Sequence, residues 1–400
     1  MKILMVNDLQ IGGVETLIVR FSEFLKANGH EVTVYIIFGK YDKELLERAK
    51  LFADVRIFNR KPYFIFGEIE ELKKFDVIMN FGIHGFFHSL QIKGQEKAKN
   101  IIGIYSSMEY AWVSKRKGYR QLFLEKILQS INSSNIISMS KEFLISHEKN
   151  IGVNWVGAKV IPIPLDVDKY KNLVRIEKRN KIISIGRLEN FKTYIPQMID
   201  IISELLRKGN DVEFHIYGDG ELRSDIENKI KVKKLGNHIF MHGSVPYSKL
   251  SSVLSDAYIF IGMGTSLIEA AACGVPSIIA MERNEKPESI GFFHLHNDMN
   301  IGERNYDRPT KNISEIISDS LLWDDGTYEI ASRESREKAA RFSASINFAL
   351  YVQAFEEASP VNFKLSFWNK ICDLLDMIKW FMMRLLKRKT PYDPSRYSGE

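Results

Sequence analysis

The 400-residue sequence holds only two cysteines, Cys273 and Cys372, and they lie far apart. Two distant thiols build no disulfide framework, so the chain reads as one suited to a reducing cytosol. No apolar stretch reaches the roughly 20 residues that a membrane span needs. The opening MKILMVND is too short for a signal peptide, because Asp8 ends its apolar run. There is no long basic run and no zinc-finger spacing, so the net charge of +6 does not argue for nucleic acid. Prolines number 11, and two of them, Pro162 and Pro164, fall together where the chain changes character. What remains is 45% hydrophobic and 26% charged, the balance of a soluble globular protein. Its length suits two domains rather than one core.

The chain reads as strand–helix repeats, which imply a parallel sheet with helices on both faces. KILMV at 2–6 is a buried strand, QIGGVE at 10–15 a turn, and 15–28 a helix with Leu17, Ile18, Phe21, Phe24 and Leu25 on one face. Further strands are expected at 31–37, 55–58, 76–80, 101–105, 135–138 and 159–161. PIPLDVDKYKN at 162–172 reads as a linker. A second series follows, with strands at 181–185, 212–217, 238–241, 257–261 and 276–280. Helices are expected at 193–208, 221–233, 247–254 and 266–273, then one long helical region over 330–358, where Phe342, Ile346, Leu350 and Phe355 can pack back on the domains.

The candidate site lies in the second series. Arg187 and Lys192 follow the end of the strand at 181–185, and GMGTSLIEAAACGVP at 262–276 places a glycine turn and two hydroxyls at a helix start. Two cations facing a helix N-terminus make a site for a diphosphate. Glu269, one turn further in, can bind ribose hydroxyls. A capping box from Ser266 to Glu269 is the alternative use of the same residues. Ligands in such domains gather at the C-terminal ends of strands, and Arg187, Gly218, His242, Gly262 and Thr265 all lie there. His242 can abut a nucleobase or be structural. Gly12 and Gly13 let backbone approach a ligand, or simply shape a βα turn. Asp166 and Asp168 fall in the linker and are not read as a metal site.

Six segments in order resemble retaining nucleotide-sugar glycosyltransferases of family 4. They are GGVE at 12–15, VIPIPLDVDKY at 160–170, GRLENFK at 186–192, YGDGELR at 217–223, GSVPYSKL at 243–250 and SLIEAAACGVPSI at 266–278. The likeness covers residues 1 to about 350. It implies α/β architecture of the GT-B kind: two Rossmann-like doubly wound domains facing a central cleft. The implied division is 1–164 for an acceptor domain and 165–345 for a donor domain, then 346–360 as a helix crossing back and 361–400 as a basic amphipathic tail. By resemblance Arg187, Lys192 and His84 serve catalysis. Gly12, Gly13, Gly186, Gly218, His242, Gly264, Thr265, Ser266, Leu267 and Glu269 bind the donor. No cofactor and no metal are expected, only a nucleoside-diphosphate sugar as donor substrate. Two departures stand out: Ile261 occupies the position of a usual acid eight residues before Glu269, and Pro164 replaces a usual glycine.

The expected function is therefore transfer of a sugar, with retention, from a nucleotide-sugar donor to a glycan or lipid-linked acceptor in cell-surface polysaccharide synthesis. The alternative is a catalytically silent subunit that binds nucleotide or glycan and scaffolds a partner transferase. Residues 361–400 carry 8 Lys/Arg and 4 Asp/Glu. Within 361–389, Phe367, Ile371, Leu374, Ile378, Phe381 and Leu385 share one side. That pattern fits a helix lying on an anionic membrane, with a protein contact as the alternative. A second basic–aromatic patch, YAWVSKRKGYR, spans 110–120. The chain is expected in the cytoplasm, peripheral on the inner face of the plasma membrane, with no nucleic-acid partner.

Overall fold

The computed structural model describes residues 1–10, 12–58, 73–106, 119–170, 180–246, 249–303 and 308–361, together with the helical positions 371, 375, 378 and 382. For Ile83, His84 and 119–124 it describes the backbone alone. The chain forms two compact units, the first made of 1–163 and 347–400, the second of 164–346.

The first unit is built on strands β1 (Lys2–Val6), β2 (Glu31–Ile36), β3 (Asp54–Ile57), β4 (Val77–Phe81), β5 (Lys99–Ile104), β6 (Ile136–Ser138) and β7 (Lys159–Val160). They pair in the order β3-β2-β1-β4-β5-β6-β7, and every pairing is parallel. A parallel sheet is covered on both faces, which is why VIMNF in β4 is apolar almost throughout and wholly buried. Around the sheet lie α1 (Gly13–Ala27), α2 (Lys43–Lys50), α3 (Ile83–Ser89), α4 (Tyr119–Ser130) and α5 (Lys141–Ile151). Helix ends follow local chemistry. Asp42 accepts from the Leu45 amide to open α2, and Ser140 accepts from the Phe143 amide to open α5.

The second unit carries β8 (Lys181–Ile185), α6 (Tyr194–Arg207), β9 (Glu213–Tyr217), α7 (Arg223–Val232), β10 (Ile239–Gly243), α8 (Leu250–Leu254), β11 (Ile259–Gly262), α9 (Thr265–Ala272) and β12 (Ser277–Ile279). Its five strands run parallel in the order β10-β9-β8-β11-β12, so the winding reverses between β8 and β11. Short β13 (Glu288–Ser289) and β14 (Lys311–Asn312) pair antiparallel beside α10 (Ile313–Leu321). In α6 the residues Ile195, Met198, Ile199, Ile202 and Leu205 are buried at helical spacing against Phe214, Ile216 and Ile259.

The region 330–358 is not one helix. It divides into α11 (Asp325–Ala340) and α12 (Ala344–Glu357). Leu165 separates them: its amide donates to Phe342 O at 2.8 Å, and its carbonyl accepts from the Ala344 amide at 2.8 Å. The inward face of α12 also differs from expectation. Phe348, Tyr351 and Phe355 are buried, as is Phe342 before the helix, whereas Ile346 and Leu350 are exposed. Phe348 stacks on Phe21 of α1 with ring centroids 4.8 Å apart, and Phe355 lies 5.7 Å from the same ring. Lys99 Nζ donates to the carbonyls of Phe355 and Glu356, and Asn135 Nδ2 donates to Ser359 O. These bonds tie the end of α12 to the first sheet. Part of the stretch read as a linker is ordered too, as a single helical turn over Asp168–Tyr170 with Tyr170 buried.

Candidate functional site

In the second unit, β8 and β11 are neighbours on either side of the reversal in strand order, the place where ligands of doubly wound sheets gather. After β8 the chain turns through Gly186, Arg187 and Leu188 toward α6. The Lys192 amide donates to Glu189 O at 2.8 Å, and Lys192 O accepts from the Ile195 amide, so this lysine is fixed at the mouth of α6. Its side chain turns back and its ammonium lies against Gly186, where any β-carbon would collide with it. Lys192 is 9% exposed, and among the described residues its ammonium makes no hydrogen bond and no ion pair. Burial, assisted by the adjacent Arg187 cation and opposed by Glu189, lowers its pKa to about 8. Arg187 is mostly exposed, and its guanidinium sits 2.7 Å from the Glu189 carboxylate.

On the β11 side, Gly264 precedes α9 with φ +72°, a conformation that other L-residues adopt only under strain. Its amide donates to Ile301 O at 2.6 Å. The amides of Thr265 and Ser266 open the helix and have no intrahelical acceptor. The Leu267 amide is taken by Gly264 O at 3.2 Å, and the Leu267 side chain is buried. The Ser266–Glu269 capping box does not form as drawn from the sequence. Gly264 is the capping residue, and Ser266 lies inside the helix with its hydroxyl donating to Met263 O. Glu269 is buried. Ile261 lies within β11 in the hydrophobic core, so that position offers no polar group.

The neighbouring strand ends continue the row. The Gly186 amide donates to Tyr217 O at 2.9 Å, and the Gly218 amide donates to Gly243 O at 2.7 Å. Gly218 has φ +153°, and a β-carbon there would strike the Gly186 carbonyl, so glycine is required for the close approach of the two strand ends. His242 is exposed beside Tyr217, the rings stacked at 4.3 Å, and its Nε2 lies 2.9 Å from Nδ1 of His215. His215 Nε2 lies 3.0 Å from the Glu213 carboxylate. Glu189, Glu213, His215 and Tyr217 were not singled out from the sequence. The signal for the last three is their period of two in EFHIY, which puts them on one face of β9.

The structure places Gly12, Gly13 and His84 in the first unit. Gly12 caps α1 in an extended conformation, and the Glu15 carboxylate folds against it; Gly13 begins the helix. His84 belongs to α3, which follows β4. β1 and β4 are neighbours where that sheet reverses, so these residues lie at the matching position of the first sheet. Of the 110–120 patch, only the backbone of Tyr119 and Arg120 is described, and most of 361–389 lies outside the described residues. Among the described residues no helix is long and apolar enough to cross a membrane.

The family described as Glycosyl transferases group 1 matches residues 166–324, and Glycosyltransferase Family 4 matches residues 11–169. The 2-deoxystreptamine N-acetyl-D-glucosaminyltransferase of Niallia circulans is 31% identical over 106 residues, 25% of this chain and 27% of that protein. The phosphatidylinositol N-acetylglucosaminyltransferase GPI3 subunit of Saccharomyces cerevisiae strain YJM789 is 30% identical over 133 residues, 29% of each chain. The match thus spans under a third of the length of either relative. Among solved structures, Anabaena HepE in complex with UDP aligns with a TM-score of 0.65 at 14% identity, covering 89% of this chain and 100% of its own. The fold is GT-B, and the two family matches, one on each unit, support a GT-B glycosyltransferase of group 1.

Proposed function

We infer that the protein, as a GT-B glycosyltransferase of group 1, moves a sugar from a nucleoside-diphosphate donor to a glycan or lipid-linked acceptor. The observation that carries this reading is Lys192. A buried lysine whose ammonium has no hydrogen bond or ion pair among the described residues is a standing cost unless an anion meets it. It lies at the end of the strand beside the one that leads into α9, whose first amides have no intrahelical acceptor. A diphosphate answers both features. The named relatives are N-acetylglucosaminyltransferases, and a structural neighbour binds UDP, which supports a nucleotide-sugar donor.

In this reading the donor occupies the second unit, with Gly186, Gly218, His242, Gly264, Thr265, Ser266, Leu267 and Glu269 around it. Gly12 and Gly13 keep their expected role toward the donor, and His84 its expected role in catalysis. The acceptor oxygen attacks the anomeric carbon on the face that the phosphate leaves. The bond from that carbon to the phosphate oxygen breaks as the new glycosidic bond forms, and the acceptor's proton passes to the departing phosphate oxygen. Configuration is retained and no protein base is needed. Negative charge grows on the leaving diphosphate, where Lys192 and Arg187 oppose it; Arg187 must exchange Glu189 for phosphate as the donor binds. These cations and the helix start supply the positive potential, so the reading assigns no metal, and turnover is expected to survive EDTA. The product belongs to cell-surface polysaccharide synthesis. The 361–389 segment rests on the inner face of the plasma membrane, a reading supported by the exposed helical positions Leu375, Ile378 and Met382 and by Lys387, Arg388 and Lys389 later in the sequence.

The test is release of nucleoside diphosphate by wild type and Arg187→Ala. Loss of one such charge is expected to lower kcat by roughly 10²–10³ with an unchanged melting temperature. Equal release by the two proteins overturns the role of Arg187. The apolar Ile261 favours a second reading, a silent scaffold subunit. Donor binding without release of diphosphate to any acceptor is the result that selects it.

A further inference from the structure

On β9, alternate residues share a face, and Glu213, His215 and Tyr217 form such a row beside β10. The contacts order the protons along it. The Glu213 carboxylate only accepts, so His215 donates its Nε2–H across 3.0 Å. Nδ1 of neutral His215 is then bare and accepts the Nε2–H of His242 across 2.9 Å. One lone pair is left at the end of this chain, on Nδ1 of His242. Among the described residues that nitrogen has no partner, and His242 is exposed. Its ring is held flat by Tyr217, 4.3 Å away and inclined by 11°.

The position of that lone pair matters. The ends of β8, β9 and β10 are laced by the Gly186–Tyr217 and Gly218–Gly243 hydrogen bonds. The strand ends at Gly186, where the Lys192 ammonium lies, and at Gly243, next to His242, therefore stand two strand spacings apart, about 10 Å. A ribose and its phosphate bridge such a span. Resting on the reading of this unit as the donor half, the geometry points to His242 as the residue that reads the nucleobase. It accepts a hydrogen bond from a ring N–H, in a tautomer fixed by His215 and Glu213. Bases with a ring N–H beside a carbonyl, N3–H of uracil or N1–H of guanine, satisfy it. Cytosine N3 and adenine N1 are bare and would set one lone pair against another.

The surroundings keep the device neutral at neutral pH. Burial holds both histidines below the ordinary value; Glu213 opposes this at His215, while His215 and Lys181 reinforce it at His242. Among the described residues the other charged group acting on the pair is Asp256, which opposes the lowering at both and forms an ion pair with Lys181 at 2.6 Å. Protonation of His242 in acid would turn its acceptor into a donor and reverse the preference.

The experiment is calorimetric titration of the full chain with UDP, CDP, GDP and ADP at neutral pH. Wild type is expected to bind UDP about tenfold more tightly than CDP, the scale of one hydrogen bond, with GDP likewise above ADP. His242→Phe keeps a ring on Tyr217 and should bring UDP down to the level of CDP. His215→Phe, with folding checked by its melting curve, should narrow the UDP-to-CDP ratio by freeing the His242 tautomer. In wild type the ratio should also shrink as pH falls below the ordinary histidine value and stay flat in His242→Phe. Wild type that favours CDP, or a ratio unchanged in His242→Phe while UDP still binds, overturns the base-reading role and leaves the donor site standing. Failure of all four diphosphates to bind wild type overturns the donor site itself.

Discussion

A lysine ammonium held from water without a counter-ion raises the free energy of the folded chain. Lys192 approaches that position, since the residue is buried and among the described residues its ammonium makes no ion pair, and the consequence has a definite sign. Its pKa is lowered from 10.5 to about 8 in the folded protein. Below about 8 both states carry the proton and the penalty is constant. From there up to 10.5 the folded state sheds the proton first, so this group's contribution to stability rises with pH through that window. Affinity for a diphosphate falls through the same window, because the cation is disappearing. Lys192→Met removes the charge and keeps the stem. Its melting temperature is expected to equal or exceed that of wild type, while diphosphate affinity drops by about 10–100-fold and loses its alkaline decline. A variant that melts lower yet binds equally well would make Lys192 a packing residue. From GRLENFK, the position of Lys192 past a strand was legible. Its burial against Gly186 and the pairing of Arg187 with Glu189 were not, since both depend on how the turn closes in space.

Helix α9 owes its start to an element distant in sequence. The Gly264 amide is held by Ile301 O, in a loop over 296–303 that is built from its own side chains. Asp298 accepts from the Asn300 amide, Asn300 from the Gly302 amide, and Glu303 from the Ile301 amide. Lys338 of α11 fastens the other end, donating to the carbonyls of His296 and Asp298. Lys338→Ala strands two part-buried carbonyls and is expected to cost about 2 kcal/mol, the usual scale for charge-assisted bonds. Because the loop sets Gly264, the variant should also bind UDP less tightly at temperatures where it is fully folded. Calorimetry beside chemical denaturation separates the two effects, and a destabilised variant with unaltered affinity would uncouple the loop from the helix start. At this scale the sequence is uneven in what it discloses. Buried parallel strands announce themselves: KILMV and KIISI were placed with their observed bounds, since an apolar run between turns leaves little choice. The break between α11 and α12 was hidden because Leu165, far away in sequence, makes it. The one-residue slip in the buried face of α12 has the same origin: the aromatic cluster on Phe21 decides which side turns in.

The chain leaves the first unit after Ile163 and rejoins it at Asn347, so the second unit is an insertion whose two ends lie side by side. The Leu165–Phe342 and Ala344–Leu165 hydrogen bonds close it. A unit with adjacent ends, its own five-stranded sheet and its own apolar core has what independent folding requires. Residues 164–346 expressed alone are therefore expected to melt in one cooperative transition. If the diphosphate site belongs to this unit, the fragment should bind UDP within about tenfold of the full chain, a difference of about 1.4 kcal/mol. The complementary cut should behave otherwise. Ending the chain at 346 removes Phe348, Tyr351 and Phe355 from their places around Phe21, and removes the carbonyl acceptors of Lys99 and one of the two acceptors of Asn135. Losing even one buried aromatic costs about 3–5 kcal/mol, so the first unit of that truncated chain should unfold at a lower temperature than the second. Scanning calorimetry would record this as two transitions, with UDP raising only the upper one. A fragment 164–346 that melts without cooperativity, or UDP raising the lower transition, would mean that the nucleotide site is not contained in the inserted unit.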